Sequence, residues 1–203
     1  MVTLVTPTDA APVIGPPQGH WTAADWEHLP DDGNRYEIIA GVLYMSTSPS
    51  YFHQWIIKQM YRLLGVPAEA NGWAYCDFAP IGLLMPGCDP VQPDLVVVLR
   101  ERAAIIRNRR IMGVPDLIVE VMSPGSMSYD QDVKRDAYES AGVPEYALVN
   151  PRERLLLLYT LQADHRYGLP QKFGENDTLT FACLPGISIR VGDLFAGSPD
   201  TTL

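Results

Sequence analysis

Cysteine is scarce and badly spaced for either of its structural uses. Cys76, Cys88 and Cys183 are odd in number, far apart and without a CxxC pair, which argues against a disulfide framework and against a zinc site. Apolar runs are short, and none approaches the ~20 residues that a membrane-spanning helix needs. The opening MVTLVTPTDAAPVIGPPQG has neither a basic leader nor a sustained apolar stretch, so no secretory signal is expected. A cytoplasmic protein with no membrane partner is the default expectation. Basic charge is also in deficit: a formal net charge of −9 argues against a protein that coats nucleic acid through bulk electrostatics. Internal repeats and low-complexity blocks are missing, and no GxSxG elbow is present to make Ser123 a nucleophile.

What the chain has is 47 % hydrophobic residues over 203 positions, enough for one sizeable core and too short for two. A loose Pro-, Ala- and Thr-rich arm at 1–18 and a single domain over 19–203 are expected. The most informative stretch is VPDLIVEVMSPGS, residues 114–126. Its part 117–122 is short, branched and fenced by Pro115 and Pro124, the pattern of a buried central strand. Alternation puts Ile118, Glu120 and Met122 on one face and Leu117, Val119 and Val121 on the other, so Glu120 has apolar neighbours on every side. An ionised carboxylate there is costly unless a cation, a metal or strong donors meet it, or unless it stays protonated. A buried ion pair and a solvent-facing strand position are the plain structural alternatives to a metal. One segment is dense in basic charge: LRERAAIIRNRR, residues 99–110, sets Arg100, Arg102, Arg107, Arg109 and Arg110 against Glu101 alone. It reads as a solvated loop or as a phosphate-holding surface, and Arg107, Arg109 and Arg110 are the candidates for nucleic-acid contact.

In chain order, residues 21–29 suggest a short helix with Thr22 as N-cap and Asp25 completing a capping-box variant. RYEIIAGVLYM, 35–45, has strand composition around Ala40-Gly41 and fits a hairpin or a bulged strand carrying Glu37. Ser50 can cap a helix running to about residue 64, with Ile57, Met60 and Leu64 as its apolar stripe and His53 one turn before. Strand material follows at 73–85, interrupted at Pro80 and Gly82, and again at QPDLVVVL, 92–99. Residues 130–141 read as a helix closed by Gly142, with Asp130, Lys134, Tyr138 and Ala141 on one face. EYALVN and LLLLYTL suggest a hairpin, and shorter strands are expected at 177–181 and 187–191. The order of elements is that of an α/β or α+β fold with a mixed sheet covered by helices.

Asp94 opening one buried strand, Glu120 inside the next and Lys134 on the following helix form a constellation with a chemistry. Two carboxylates on neighbouring strands, with the backbone carbonyl of Val121, can hold a Mg²⁺ ion, which takes hard oxygen ligands at about 2.1 Å and keeps several waters. Such an ion polarises a phosphoryl oxygen and lowers the pKa of an attacking water, while a lysine stabilises developing charge or orients that water. Asp116 competes for the first role, but it lies four residues from Glu120 on one strand face, about 13 Å at the usual rise. Asp94 is therefore preferred. Glu37 is a further candidate as a metal- or water-orienting carboxylate, with a strand-edge charge as the alternative. His53 is a candidate base, with packing as the alternative. Gln92 either touches the site or ends a loop.

Taken together and in order, QPDLVVV, the basic connection, PDLIVEVMSP and D-x-D-x-K-R-D-A-Y-x-x-A-G-V-P-E-Y resemble the Uma-two-type restriction endonuclease family, within the PD-(D/E)XK nuclease superfamily. RYEIIAGVLYMSTSPSYFHQ resembles the N-terminal half of that family, and the likeness runs from about residue 21 to about residue 159. The resemblance implies a restriction-endonuclease-like core, with a central mixed sheet flanked by helices. It implies Asp94 and Glu120 as metal ligands and Lys134 as the catalytic lysine. Met122 stands two residues after Glu120, where the superfamily usually has lysine; in this branch a lysine of the following helix is thought to replace it. A surface i,i+4 pairing with Asp130 is the alternative for Lys134. The implied activity is Mg²⁺-dependent hydrolysis of DNA phosphodiester bonds, with Mn²⁺ able to substitute, by a homodimer of the kind that cuts both strands. Two alternatives stay open: a DNA-associated or regulatory protein that keeps the fold without efficient chemistry, and a metal-dependent hydrolase of RNA or small phosphates.

Overall fold

In the computed structural model, which describes residues 13–30, 32, 34–46, 48–108, 110–123 and 129–199, local signals set most element starts. The Thr22 hydroxyl accepts from the Asp25 N–H and the Asp25 carboxylate accepts from the Thr22 N–H, a capping box that starts α1, Ala23–Trp26. Strands β1, Arg35–Ile39, and β2, Val42–Ser46, pair as an antiparallel hairpin. Its two-residue turn has φ of 52° at Ala40 and 71° at Gly41, the primed geometry that matches strand twist. A Cβ at position 41 would lie 2.5 Å from the Gly19 carbonyl oxygen, so only glycine fits there. The Gln18 side chain bonds both the N–H and the carbonyl of Leu43, so the described end of the expected loose arm is docked on this hairpin.

Ser50 accepts from the His53 N–H and caps α2, Tyr51–Met60. The helix does not stop near residue 64. It passes through one widened turn, Tyr61–Gly65, into α3, Val66–Ala70; the wide turn makes room for Pro67, which has no N–H to donate. Strands β3, Ala74–Phe78, β4, Gly82–Leu84, and β5, Leu95–Leu99, follow. The basic segment winds into a 3₁₀-helix, Arg100–Ile105, before β6, Arg110–Met112. Then come β7, Leu117–Val121, a wide turn at Tyr129–Lys134 that leads into α4, Arg135–Ala141, and Gly142 with φ 83° as its C-cap. The chain continues through β8, Glu145–Asn150, β9, Leu155–Thr160, β10, Gln171–Phe173, β11, Thr178–Thr180, and β12, Ser188–Arg190.

Six strands form the central sheet in the order β10-β9-β8-β7-β5-β3. Within this sheet only the β7–β8 pairing is parallel, and the wide turn Tyr129–Lys134 with α4 makes their crossover, so the segment that carries Lys134 is laid over the strand that carries Glu120. The strand alternation holds. Leu117, Val119 and Val121 pack with Ile56, Met60 and Leu64 of the long helix and with Phe181 and Phe195 of the C-terminal part. Ile118 and Met122 pack on the opposite face with Val96, Tyr138 and Ile39. The architecture is α+β with few helices. Among the described residues no helix is long and apolar enough to cross a membrane.

Candidate functional site

The hairpin alternates as strictly as β7. Tyr36, Ile38 and Leu43 pack with Trp21, which leaves Arg35, Glu37 and Ile39 on the other face, where Ile39 joins the core above the central sheet. Asp94 immediately precedes β5, which runs antiparallel to β7 with Leu95 opposite Val119, so it arrives beside the end of β7. Lys134 and Tyr138 stand one helical turn apart on the crossover helix and face the same strand.

These placements bring Asp94, Glu120, Lys134, Glu37 and His53 into one connected buried cluster. The Lys134 amine donates to Glu120 Oε1 at 2.9 Å and lies 3.3 Å from Glu37 Oε2. Lys134 is 3 % exposed, and the side chain of Asp130, its alternative partner by helix spacing, lies outside the described residues. The Tyr138 hydroxyl donates to the same Glu120 oxygen at 2.7 Å. Asp94 Oδ1 accepts from Arg35 Nη1 at 2.8 Å, and its Oδ2 accepts from the Val121 N–H at 2.9 Å and lies 3.1 Å from His53 Nε2. Glu37 Oε1 takes the Gln92 N–H at 2.7 Å, which puts Gln92 at the edge of the site. Burial would raise the Asp94 carboxyl, but the His53 bond and the Arg35 and Lys134 charges hold it far below the usual carboxylate range. Burial together with the Glu120 and Glu37 charges pushes the Tyr138 hydroxyl well up, so it stays a donor.

Two members of this cluster were not singled out as site residues from the sequence, Arg35 and Tyr138. The signals were there: Arg35 is two residues before Glu37 on one strand face, and Tyr138 is four after Lys134 on one helix face. The remaining candidates lie elsewhere. Asp116 binds the Leu99 N–H and pairs with Arg102. The basic segment follows β5 at the end opposite Asp94, a separation of roughly 17 Å along a five-residue strand. Arg110 pairs with Glu27 and lies over the Trp26 ring, Arg107 is exposed, and Arg109 lies outside the described residues. A cavity of about 680 Å³ between Val13, Trp21 and Asn34 takes none of its lining from the cluster.

The donor set suits a hard divalent cation. Asp94 and Glu120 supply carboxylate oxygens from neighbouring strands. The Val121 N–H meets Asp94, and in an extended strand a residue's carbonyl points to the same side as its N–H, so the Val121 carbonyl is aimed at the same gap. Among the described residues no three His, Cys, Asp or Glu side chains form a ready cage, and Asp94 and Glu120 are each paired with a basic side chain. Two carboxylates, one carbonyl and waters suffice for Mg²⁺.

The model of the Uma2 family, described as putative restriction endonuclease, matches residues 23–192. A crystal structure described as a putative nuclease belonging to DUF820, from Anabaena variabilis, has the same fold, with a TM-score of 0.73 at 18 % identity. The match covers 86 % of this chain and 97 % of that one. No curated protein matches the chain.

Proposed function

Because the chain belongs to the Uma2 family of putative restriction endonucleases, we propose that it is a divalent-metal-dependent endonuclease hydrolysing DNA phosphodiester bonds. The observation that supports this reading is the approach of the Lys134 amine to 2.9 Å from Glu120, across from the Asp94 carboxylate, within one buried cluster. Asp94, Glu120 and the Val121 carbonyl would hold Mg²⁺, for which Mn²⁺ can substitute, and a bound ion supplies phosphoryl polarisation and a more acidic water. Lys134 would stabilise developing negative charge on the phosphoryl oxygens, or orient the attacking water. Tyr138 fixes the rotamer of Glu120, and the Val121 N–H and His53 fix that of Asp94. Glu37, tied to the Gln92 N–H, keeps the second side of Lys134 neutralised. Two such chains acting as a homodimer would serve the two strands of a duplex.

Glu120→Gln should abolish Mg²⁺-dependent cleavage of plasmid DNA at a temperature well below its melting point, with the circular dichroism of the fold retained. Full cleavage by that variant would overturn the assignment. A second reading, hydrolysis of RNA or small phosphates, draws support from the engagement of Arg102 by Asp116 and Arg110 by Glu27, which takes two cations of the basic segment away from a duplex backbone. Competition between duplex DNA, RNA and mononucleotides separates the two.

A further inference from the structure

We propose that Arg35 is the resident counter-cation of Asp94, a positioning residue that a divalent ion has to displace, so that it sets how tightly the site takes up metal. The inference rests on the metal-dependent reading above and deepens it. Asp94 is 3 % exposed and its two oxygens meet three protein donors: Arg35 Nη1 on Oδ1, and the Val121 N–H with His53 Nε2 on Oδ2. The Val121 N–H is fixed in the backbone at the end of β7 and cannot turn away. Arg35 carries full charge, and a second cation bound to the same buried carboxylate would sit within a few ångströms of it, where repulsion is weakly screened.

Arg35 is well placed by charge and poorly placed by hydrogen bonding. Its side chain keeps 22 % of its exposure, yet Nε and Nη2 are shut off from solvent without a hydrogen-bond partner. Nη2 faces Glu37 Oε1 at 3.6 Å, beyond hydrogen-bond reach. A guanidinium has five donors, and buried donors left unmade oppose the arrangement that leaves them so. Lys134 does not share this position, since it binds Glu120 and also faces Glu37. Between the arginine and the lysine of the cluster, Arg35 is therefore the one that Asp94 can exchange for a metal ion, while His53 stays on the other oxygen, Oδ2.

The test titrates Mn²⁺ alone into the full chain, reading bound metal by electron paramagnetic resonance and calorimetry. Arg35→Gln should bind Mn²⁺ about tenfold more tightly than the wild type, the size typical of a neighbour that tunes a metal site. Arg35→Lys, which restores the charge, should return the affinity towards the wild-type value. Equal or weaker binding by Arg35→Gln overturns the proposal. Where Arg35→Gln fails to fold, the wild type decides: the Arg35 Nε–H resonance should move on saturation with Mg²⁺ and return on chelation, and an unmoved resonance overturns it. Asp94→Asn separates the two readings. Wild-type binding that is lost in Asp94→Asn but unchanged in Arg35→Gln overturns the role of Arg35 alone. Equal binding by the wild type and Asp94→Asn, or none by either, overturns the metal centre and this inference with it.

Discussion

Glu120 receives the Lys134 amine and the Tyr138 hydroxyl on one oxygen, and this explains how a carboxylate is tolerated in the middle of a buried strand. Ion pair and candidate ligand are the same residue here, so the structural and the chemical account of it do not compete. Tyr138 is fully buried and stacks edge-on against Tyr146 at 5.2 Å, so the ring has a packing role that the hydroxyl does not share. Tyr138→Phe should therefore keep the fold and lose about 1–3 kcal/mol, the range for a hydrogen bond to a charged, buried acceptor. Urea unfolding with an unchanged slope measures this, and a loss near zero would mean that the hydroxyl does not serve Glu120. Asp94, Glu120, Lys134, Glu37 and His53 were all legible as candidates, because a charged or polar residue inside an apolar period stands out. Arg35 and Tyr138 were harder to single out, because an arginine at a strand start and a tyrosine on a helix face are ordinary until the partner surface is known.

Among the elements, strand periodicity was the most readable. The alternation in β7 and β1 states which side chains share a face, and packing on both sides of the sheet follows it. Less readable were the continuation of α2 through a widened turn into α3, and β6 and β10, each three residues long and defined by its pairing partner rather than by its own composition. The sheet edge carries a device of the same kind. Cys76 in edge strand β3 donates its N–H to Glu69 Oε1 at 3.1 Å, while Glu69 Oε2 accepts the Tyr61 hydroxyl at 2.7 Å. The carboxylate thus covers an edge N–H that another strand could pair with. Glu69→Ala should lower stability by about 1–2 kcal/mol and raise light scattering on warming. Unchanged scattering at matched stability would show that the edge is protected by other means.

At the scale of the molecule, carboxylates depressed by their partners point one way. Glu139 is lowered by the Tyr167 N–H and Arg166, Glu175 by Arg154, Asp25 by Thr22 and Asp32 by the Asn34 N–H. A native value below the unfolded one means that the stability contributed is present above the unfolded value and is lost as pH falls through the native one. The melting temperature should thus hold above about pH 5 and fall steadily below it. A melting temperature that rises on acidification would contradict these pairings. Composition and periodicity by themselves narrowed the class to α/β or α+β, marked the buried β7 strand, placed a hairpin or a bulge at Ala40-Gly41 and singled out the candidate residues, since each depends on spacing within one segment. Tertiary structure decided which of those residues meet. The antiparallel entry of β5 beside β7 delivers Asp94, the α4 crossover delivers Lys134, and the hairpin turned over the sheet delivers Glu37 with Arg35. The basic segment, for the same reason, was carried to the far end of β5. Contacts between segments dozens of residues apart are set by strand order and packing, and no spacing along the chain encodes them.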